Sequence, residues 1–199
     1  GACVSVHGAN RLGGNSLLEA LVFGAIAGEG AASYIKGDEN TKGEGIVLDS
    51  LKREEEEIKG LMASGGKERV PELWEELNGV MDEKIGIFRE ERSLKEGLNK
   101  VKELKERSKG LALSYKGKRF NYELYWALEL IGSIDVAEAV ILGALERRES
   151  RGSHFRTDYP MRDDKGFLKH TMVRYAEEGA SLDYENVDVS LFEPKERRY

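Results

Sequence analysis

The sequence predicts a mainly α chain: a glycine-rich loop with one long helix, a linker, a three-helix-type bundle, and a small closing β-hairpin. Three observations carry this. Apolar residues recur at helical spacing through most of residues 48–145, whereas period-two alternation is confined to residues 167–175 and 181–184. Glycine-rich punctuation separates the segments, most densely at Gly37, Asp38, Asn40, Gly43 and Gly45. The resulting organisation is residues 1–36, a linker at residues 37–47, and residues 48–199 as a helical domain with the hairpin.

The chain opens on Val6-His7-Gly8-Ala9-Asn10-Arg11-Leu12-Gly13-Gly14-Asn15-Ser16-Leu17-Leu18. Glycines allow close backbone approach, Asn15 or Ser16 can cap a helix, and a helix start offers unpaired N–H groups with partial positive charge. The stretch reads either as an anion site with Arg11 beside it or as a plain helix start with a surface arginine. It lacks the G-x-G-x-x-G and G-K-[ST] phosphate fingerprints. The helix of residues 17–34 carries Gly24 and Gly28, each costing about 1 kcal/mol against alanine in isolation, which suggests close packing against a partner.

Beyond the linker, Leu48, Leu51, Ile58, Leu61 and Met62 flank an acidic run, Glu54 to Glu57, and Ser64-Gly65-Gly66 ends that helix. Pro71 suits the first turn of the next, with Leu73, Trp74, Leu77, Val80, Met81 and Ile85 at helical spacing. Ser93 is the expected cap of a helix with Leu94, Leu98, Val101 and Leu104 inward, Leu111 a possible extension of the stripe, and Lys95, Lys100, Lys102, Lys105, Arg107 and Lys109 outward. That basic face is either solvated or a docking surface. Asn121 is the expected cap of a last helix with Leu124, Leu128, Ile131, Val136, Val140, Ile141 and Leu145 inward. Gly179 offers the turn of the hairpin.

Composition narrows function. A net charge of −6 argues against a general nucleic-acid or anionic-membrane binder. The longest apolar run is interrupted by Glu19 and Glu29, so no bilayer span is expected. One cysteine, Cys3, excludes an internal disulfide and is expected as a small packed residue, and three histidines form no metal-ligand spacing, so no metal site is expected. His7 and His170 are expected to be structural.

The densest polar segment is residues 148–164, Arg-Glu-Ser-Arg-Gly-Ser-His-Phe-Arg-Thr-Asp-Tyr-Pro-Met-Arg-Asp-Asp. His154 with Asp158 nearby could exchange a proton. An ion-pair network that staples the loop to the bundle has the same composition.

Two of these stretches carry a resemblance. His7 to Leu17 and Glu149 to Asp164 resemble two signatures of the succinate dehydrogenase and fumarate reductase flavoprotein subunits. The Phe120-Asn121 helix start and the tail from Pro194 to Tyr199 are also similar to that family. The resemblance implies that residues 1–36 are the C-terminal piece of an FAD-binding domain, with the cofactor's remaining contacts outside this chain. It implies that Arg11 grips a carboxylate of succinate or fumarate, and that Ser16 and Leu17 contact FAD. No catalytic residue is carried over, since the family's proton-donating arginine falls elsewhere. The implied partners are the dicarboxylate, an iron–sulfur subunit and, indirectly, membrane-anchor subunits, giving a cytoplasmic protein peripheral to the membrane. Two rivals stand beside this reading: the related L-aspartate oxidases, and a non-catalytic helical docking module using the basic face.

Overall fold

The computed structural model describes residues 7, 9–11, 13–37, 44–176, 179–191 and 193–195. The expectation for Cys3 falls outside them. The fold is mostly helical, with α1 (Asn15–Gly37), α2 (Glu44–Ala63), α3 (Val70–Ile85), α4 (Glu91–Ser108), α5 (Tyr122–Glu146) and a short α6 (Asp164–Phe167). Four short strands complete it: β1 (Phe88–Arg89), β2 (Phe155–Arg156), β3 (Lys169–Arg174) and β4 (Ser181–Asn186). Strands β3 and β4 form the expected antiparallel hairpin, with His170 opposite Glu185, and Gly179 lies in its turn with φ 119°.

Helices α3, α4 and α5 pack on one another around Leu73, Leu77, Leu94, Val101, Leu104, Leu130, Ile134 and Ile141, all essentially inaccessible. Each of these side chains, fully buried, contributes roughly 1.5 to 3 kcal/mol of transfer free energy, which makes this the stable centre of the chain. Leu111 extends the core from beyond the end of α4, held by a bridge to Glu68.

Local signals set the ends of these helices. Pro71 occupies the first turn of α3, and Asn121 caps α5, its side chain accepting from the Leu124 amide at 2.9 Å. Ser93 does not cap α4. That helix starts at Glu91, and the Ser93 hydroxyl instead donates to the Lys84 carbonyl at 3.1 Å, tying α4 to α3. Of the expected linker at residues 37–47, Gly37 and the residues from Glu44 onward are helical, and residues 38–43 lie outside the described residues.

The inward face of α5 also differs from expectation. Ala127, Leu130, Ile134, Ala137, Ile141 and Ala144 are buried, whereas Leu128, Ile131, Val136 and Val140 stand at the surface. The helix is apolar on every side, so spacing alone had no polar face from which to choose.

Helix α1 contrasts with the bundle. Leu17, Leu21, Ile26 and Ile35 are more than half exposed, and a side chain added at Gly24 or Gly28 would meet nothing. Asn15–Lys36 is long enough and, at a mean hydropathy of 1.2, apolar enough to cross a bilayer by length and composition. The expectation drawn from Glu19 and Glu29 thus fails on composition alone, and an apolar helix that packs against other protein meets the same criteria.

Candidate functional site

The expected substrate and cofactor residues cluster at the start of α1. Gly14, at φ 82°, turns the backbone into the helix in a conformation that side chains resist. Asn15 and Ser16, expected as caps, are instead the first helical residues, so their N–H groups and that of Leu17 belong to the turn that has no intrahelical acceptors. Arg11 lies on the preceding loop and is exposed. Its Nε donates to the Ser16 hydroxyl at 2.6 Å, and its terminal nitrogens meet no carboxylate or carbonyl among the described residues. The guanidinium is therefore aimed by one contact and keeps its two-nitrogen edge available, the edge that matches a carboxylate. His7 sits beside this loop with Nε2 at 2.6 Å from Glu19 Oε2, fastening the loop to α1.

The loop of residues 148–164 is arranged for support. Glu149 is wholly buried, and its carboxylate accepts from Arg147 at 2.5 Å, from Arg151 at 2.7 and 2.9 Å and from the Asp163 amide at 2.8 Å. Burial pushes this carboxyl's pKa upward, but the hydrogen bonds from Arg151, Asp163 and Arg147 outweigh it and hold the group below its ordinary value. Arg156 is also inaccessible. It pairs twice with Asp158 at 2.7 Å and donates to the Ala144 and Leu145 carbonyls at the end of α5.

His154 is not paired with Asp158. Its Nδ1 is 3.0 Å from Arg89 Nη1, and its Nε2 is 3.1 Å from the Arg147 carbonyl. Arginine can only donate and a carbonyl can only accept, so the ring is the neutral tautomer protonated at Nε2. Burial lowers its pKa, and the cations Arg89, Arg156 and Arg147 add to that, against the carbonyl's opposing pull. Both ring nitrogens are committed, which makes His154 a staple and removes the acid/base reading. The parallel β1–β2 pair, Phe88 with Phe155 and Arg89 with Arg156, fixes the same loop to the α3–α4 corner. Sequence reasoning missed Arg89 because its partner lies 65 residues away.

Elsewhere the structure offers less chemistry. A groove of about 720 Å³ lies between α3 and α5 against Trp74 and Trp126, and of its two carboxylates, Glu75 and Glu123, the second is taken up by the Ser114 and Tyr115 amides. The basic face of α4 is largely neutralised within the chain. Lys95 pairs with Glu91, Lys100 with Glu103, Lys105 with Asp135 and Glu138, Arg107 with Glu68 and Glu76, and Lys109 with Glu106. A docking surface built on that charge loses its basis.

Residues 74–199 match the family described as "Fumarate reductase flavoprotein C-term". The fumarate reductase flavoprotein subunit of Haemophilus influenzae is 38% identical over all of this chain and 34% of its own length. The succinate dehydrogenase flavoprotein subunit of Bacillus subtilis is 35% identical over 98% of this chain and 34% of its own length. Among solved structures, the E. coli quinol fumarate reductase superposes with a TM-score of 0.88 at 34% identity, over 96% of this chain and 33% of that one. The chain thus spans about a third of the length of the curated relatives it matches, and with its three-helix core, closing hairpin and charge-stapled loop it belongs to the C-terminal family of fumarate reductase and succinate dehydrogenase flavoproteins.

Proposed function

We propose that this chain is the C-terminal part of a flavoprotein that interconverts succinate and fumarate. In this reading residues 1–36 complete the FAD-binding domain, the chain crosses within residues 37–47, whose two ends are helical, and residues 48–199 form the helical domain. The observation that carries the reading is the half-used guanidinium of Arg11. Ser16 holds its Nε while the Nη edge stays open beside a helix start. A dicarboxylate seated there would receive two parallel charge-assisted hydrogen bonds and be fixed in orientation, not merely attracted.

The residues present fit one wall of a flavin site. The early N–H groups of α1 at Ser16 and Leu17 follow a positive-φ glycine, and the Leu17 side chain is 80% exposed, free to lie against a ring. FAD, when bound, would accept or donate the hydride exchanged between succinate and fumarate, which differ by that hydride and one proton. This chain's own contribution is to hold the carboxylate at Arg11 and present backbone donors at α1. The bare sides of α1 are where the rest of such a domain would pack. Electrons would leave through an iron–sulfur subunit, and membrane-anchor subunits would hold the assembly peripherally at the membrane, as the quinol fumarate reductase likeness supports.

The test is stopped-flow reduction of the bound flavin by succinate in the complete flavoprotein, with flavin content measured on the same sample. Arg11→Lys keeps the charge but loses the planar fork, and catalytic efficiency should fall at least about a hundredfold. A lysine variant that retains flavin and is reduced at nearly the normal rate would remove Arg11 as the clamp.

A further inference from the structure

The tip of the charge-stapled loop meets the Arg11 loop at Ala9, through its peptide and its methyl group. Arg151 and His154 close a tight turn, with reciprocal N–H to carbonyl hydrogen bonds of 2.8 and 3.0 Å. At its apex Gly152 has φ 60°, and Ser153 N–H donates to the Ala9 carbonyl at 3.3 Å. A Cβ placed on Gly152 would lie 2.1 Å from the Ala9 oxygen and 2.5 Å from its carbonyl carbon. Only glycine satisfies both conditions at once, the left-handed backbone and the contact with another chain segment's peptide.

The tip is rigid because its base is. Arg151 at one side of the apex is bonded to buried Glu149, and His154 at the other is bonded to Arg89 and to the Arg147 carbonyl. Through Arg147 and Arg89 these contacts tie the base of the tip to the end of α5 and the α3–α4 corner. On the other side of the contact, Ala9 stands two residues before Arg11, on a loop whose described side-chain anchors are the His7–Glu19 and Arg11–Ser16 contacts.

We infer that Gly152 and Ser153 position Arg11: the bundle sets the height of the Ala9 peptide through this contact, and the peptide sets where the guanidinium edge can reach. The inference rests on the reading of Arg11 as the carboxylate clamp. It makes the helical domain a reference frame for the substrate site, through a contact that carries no charge. Gly152 is then a positioning residue with no contact to substrate.

Two variants test it. Gly152→Ala introduces both crowding and backbone strain, whereas Gly152→Asn tolerates the left-handed conformation better and isolates the crowding, so at least one should fold. Hydrogen exchange on the full 199-residue chain reads the contact directly. The Ser153 amide, which donates to the Ala9 carbonyl, should exchange faster, by about tenfold, while those of α3, α4 and α5 keep their protection. In the complete flavoprotein, malonate serves as the dicarboxylate probe. Gly152→Asn should weaken its binding about tenfold, and in an Arg11→Lys background it should weaken it no further, because the two changes act through one group. Unchanged exchange at Ser153 overturns the inference. So does a Gly152 effect on malonate that persists undiminished in the Arg11→Lys background. If Arg11→Lys alone leaves malonate affinity intact, the clamp reading falls and this inference with it, while the exchange result still reports separately whether the tip holds the loop.

Discussion

The loop of residues 148–164 and the segment of residues 7–37 differ in how completely their bonding is satisfied from within. In the first, Glu149 meets two arginines and a backbone amide, Arg156 meets a carboxylate and two carbonyls, and both nitrogens of His154 are engaged. Among the described residues no buried side-chain nitrogen or oxygen lacks a partner. In the second, Arg11 uses one nitrogen of three, and α1 leaves leucines and isoleucines to solvent. A side chain whose interactions close within the chain serves shape. One left open marks where another molecule, or more of the same protein, completes the set.

The contrast is easiest to break at Glu149. Glu149→Ala leaves Arg147 and Arg151 without their shared counter-charge in a buried site, and should cost about 3 to 5 kcal/mol by denaturant unfolding. A loss near zero would mean that the network is decorative. At Arg11 the sign of the evidence reverses. Arg11→Lys should leave the melting temperature of this chain unchanged, while in the complete flavoprotein it removes roughly 2.7 kcal/mol of transition-state stabilisation or more. A drop in melting temperature would place Arg11 among the structural group instead.

Acid sharpens the comparison further. The hydrogen bond from Arg156, opposed by burial and helped by the Glu91 amide, lowers the Asp158 pKa from 3.8 to about 2. A carboxyl whose pKa is lower folded than unfolded stabilises the fold fully above about pH 4, and that contribution vanishes as pH falls through 2. The amount is about 2 kcal/mol, and Asp158→Asn should flatten stability against pH across that window. The smallest effect belongs to α1. Leu21→Ser, at a site 75% exposed, should change the stability of this chain by no more than about 0.5 kcal/mol, whereas Leu73→Ala in the bundle should cost about 2 to 5.

How far the sequence was legible follows from the range of the interactions. Caps and breaks are local, so Asn121, Pro71 and Gly179 announced their elements correctly. The α3 and α4 stripes were legible because a polar face stands opposite each, and α5 was misread because it has none. The β1–β2 pair is two residues long with its strands far apart in sequence, and leaves no periodicity to detect. The composition of residues 148–164 allowed two readings, and only the position of Arg89 decided between them. The place of Arg11 in an exposed glycine loop was visible from its neighbours, whereas its proposed role came from the motif's resemblance to a family. The meeting of Gly152 with Ala9 was illegible, because it joins two small residues far apart in sequence through a backbone hydrogen bond that leaves no mark on composition.

The end of α5 bears on the order in which this chain folds. Its last carbonyls are met by Arg156, a residue beyond the helix whose guanidinium also brings positive charge to the negative end of the helix dipole. The final turn of α5 therefore lacks its terminator until residues 148–164 have looped back and the β1–β2 pair has closed. Helices α3, α4 and the first part of α5 can collapse on their leucines before that moment. The loop then arrives late, so its contacts act mainly as a brake on unfolding and little as an accelerator of folding.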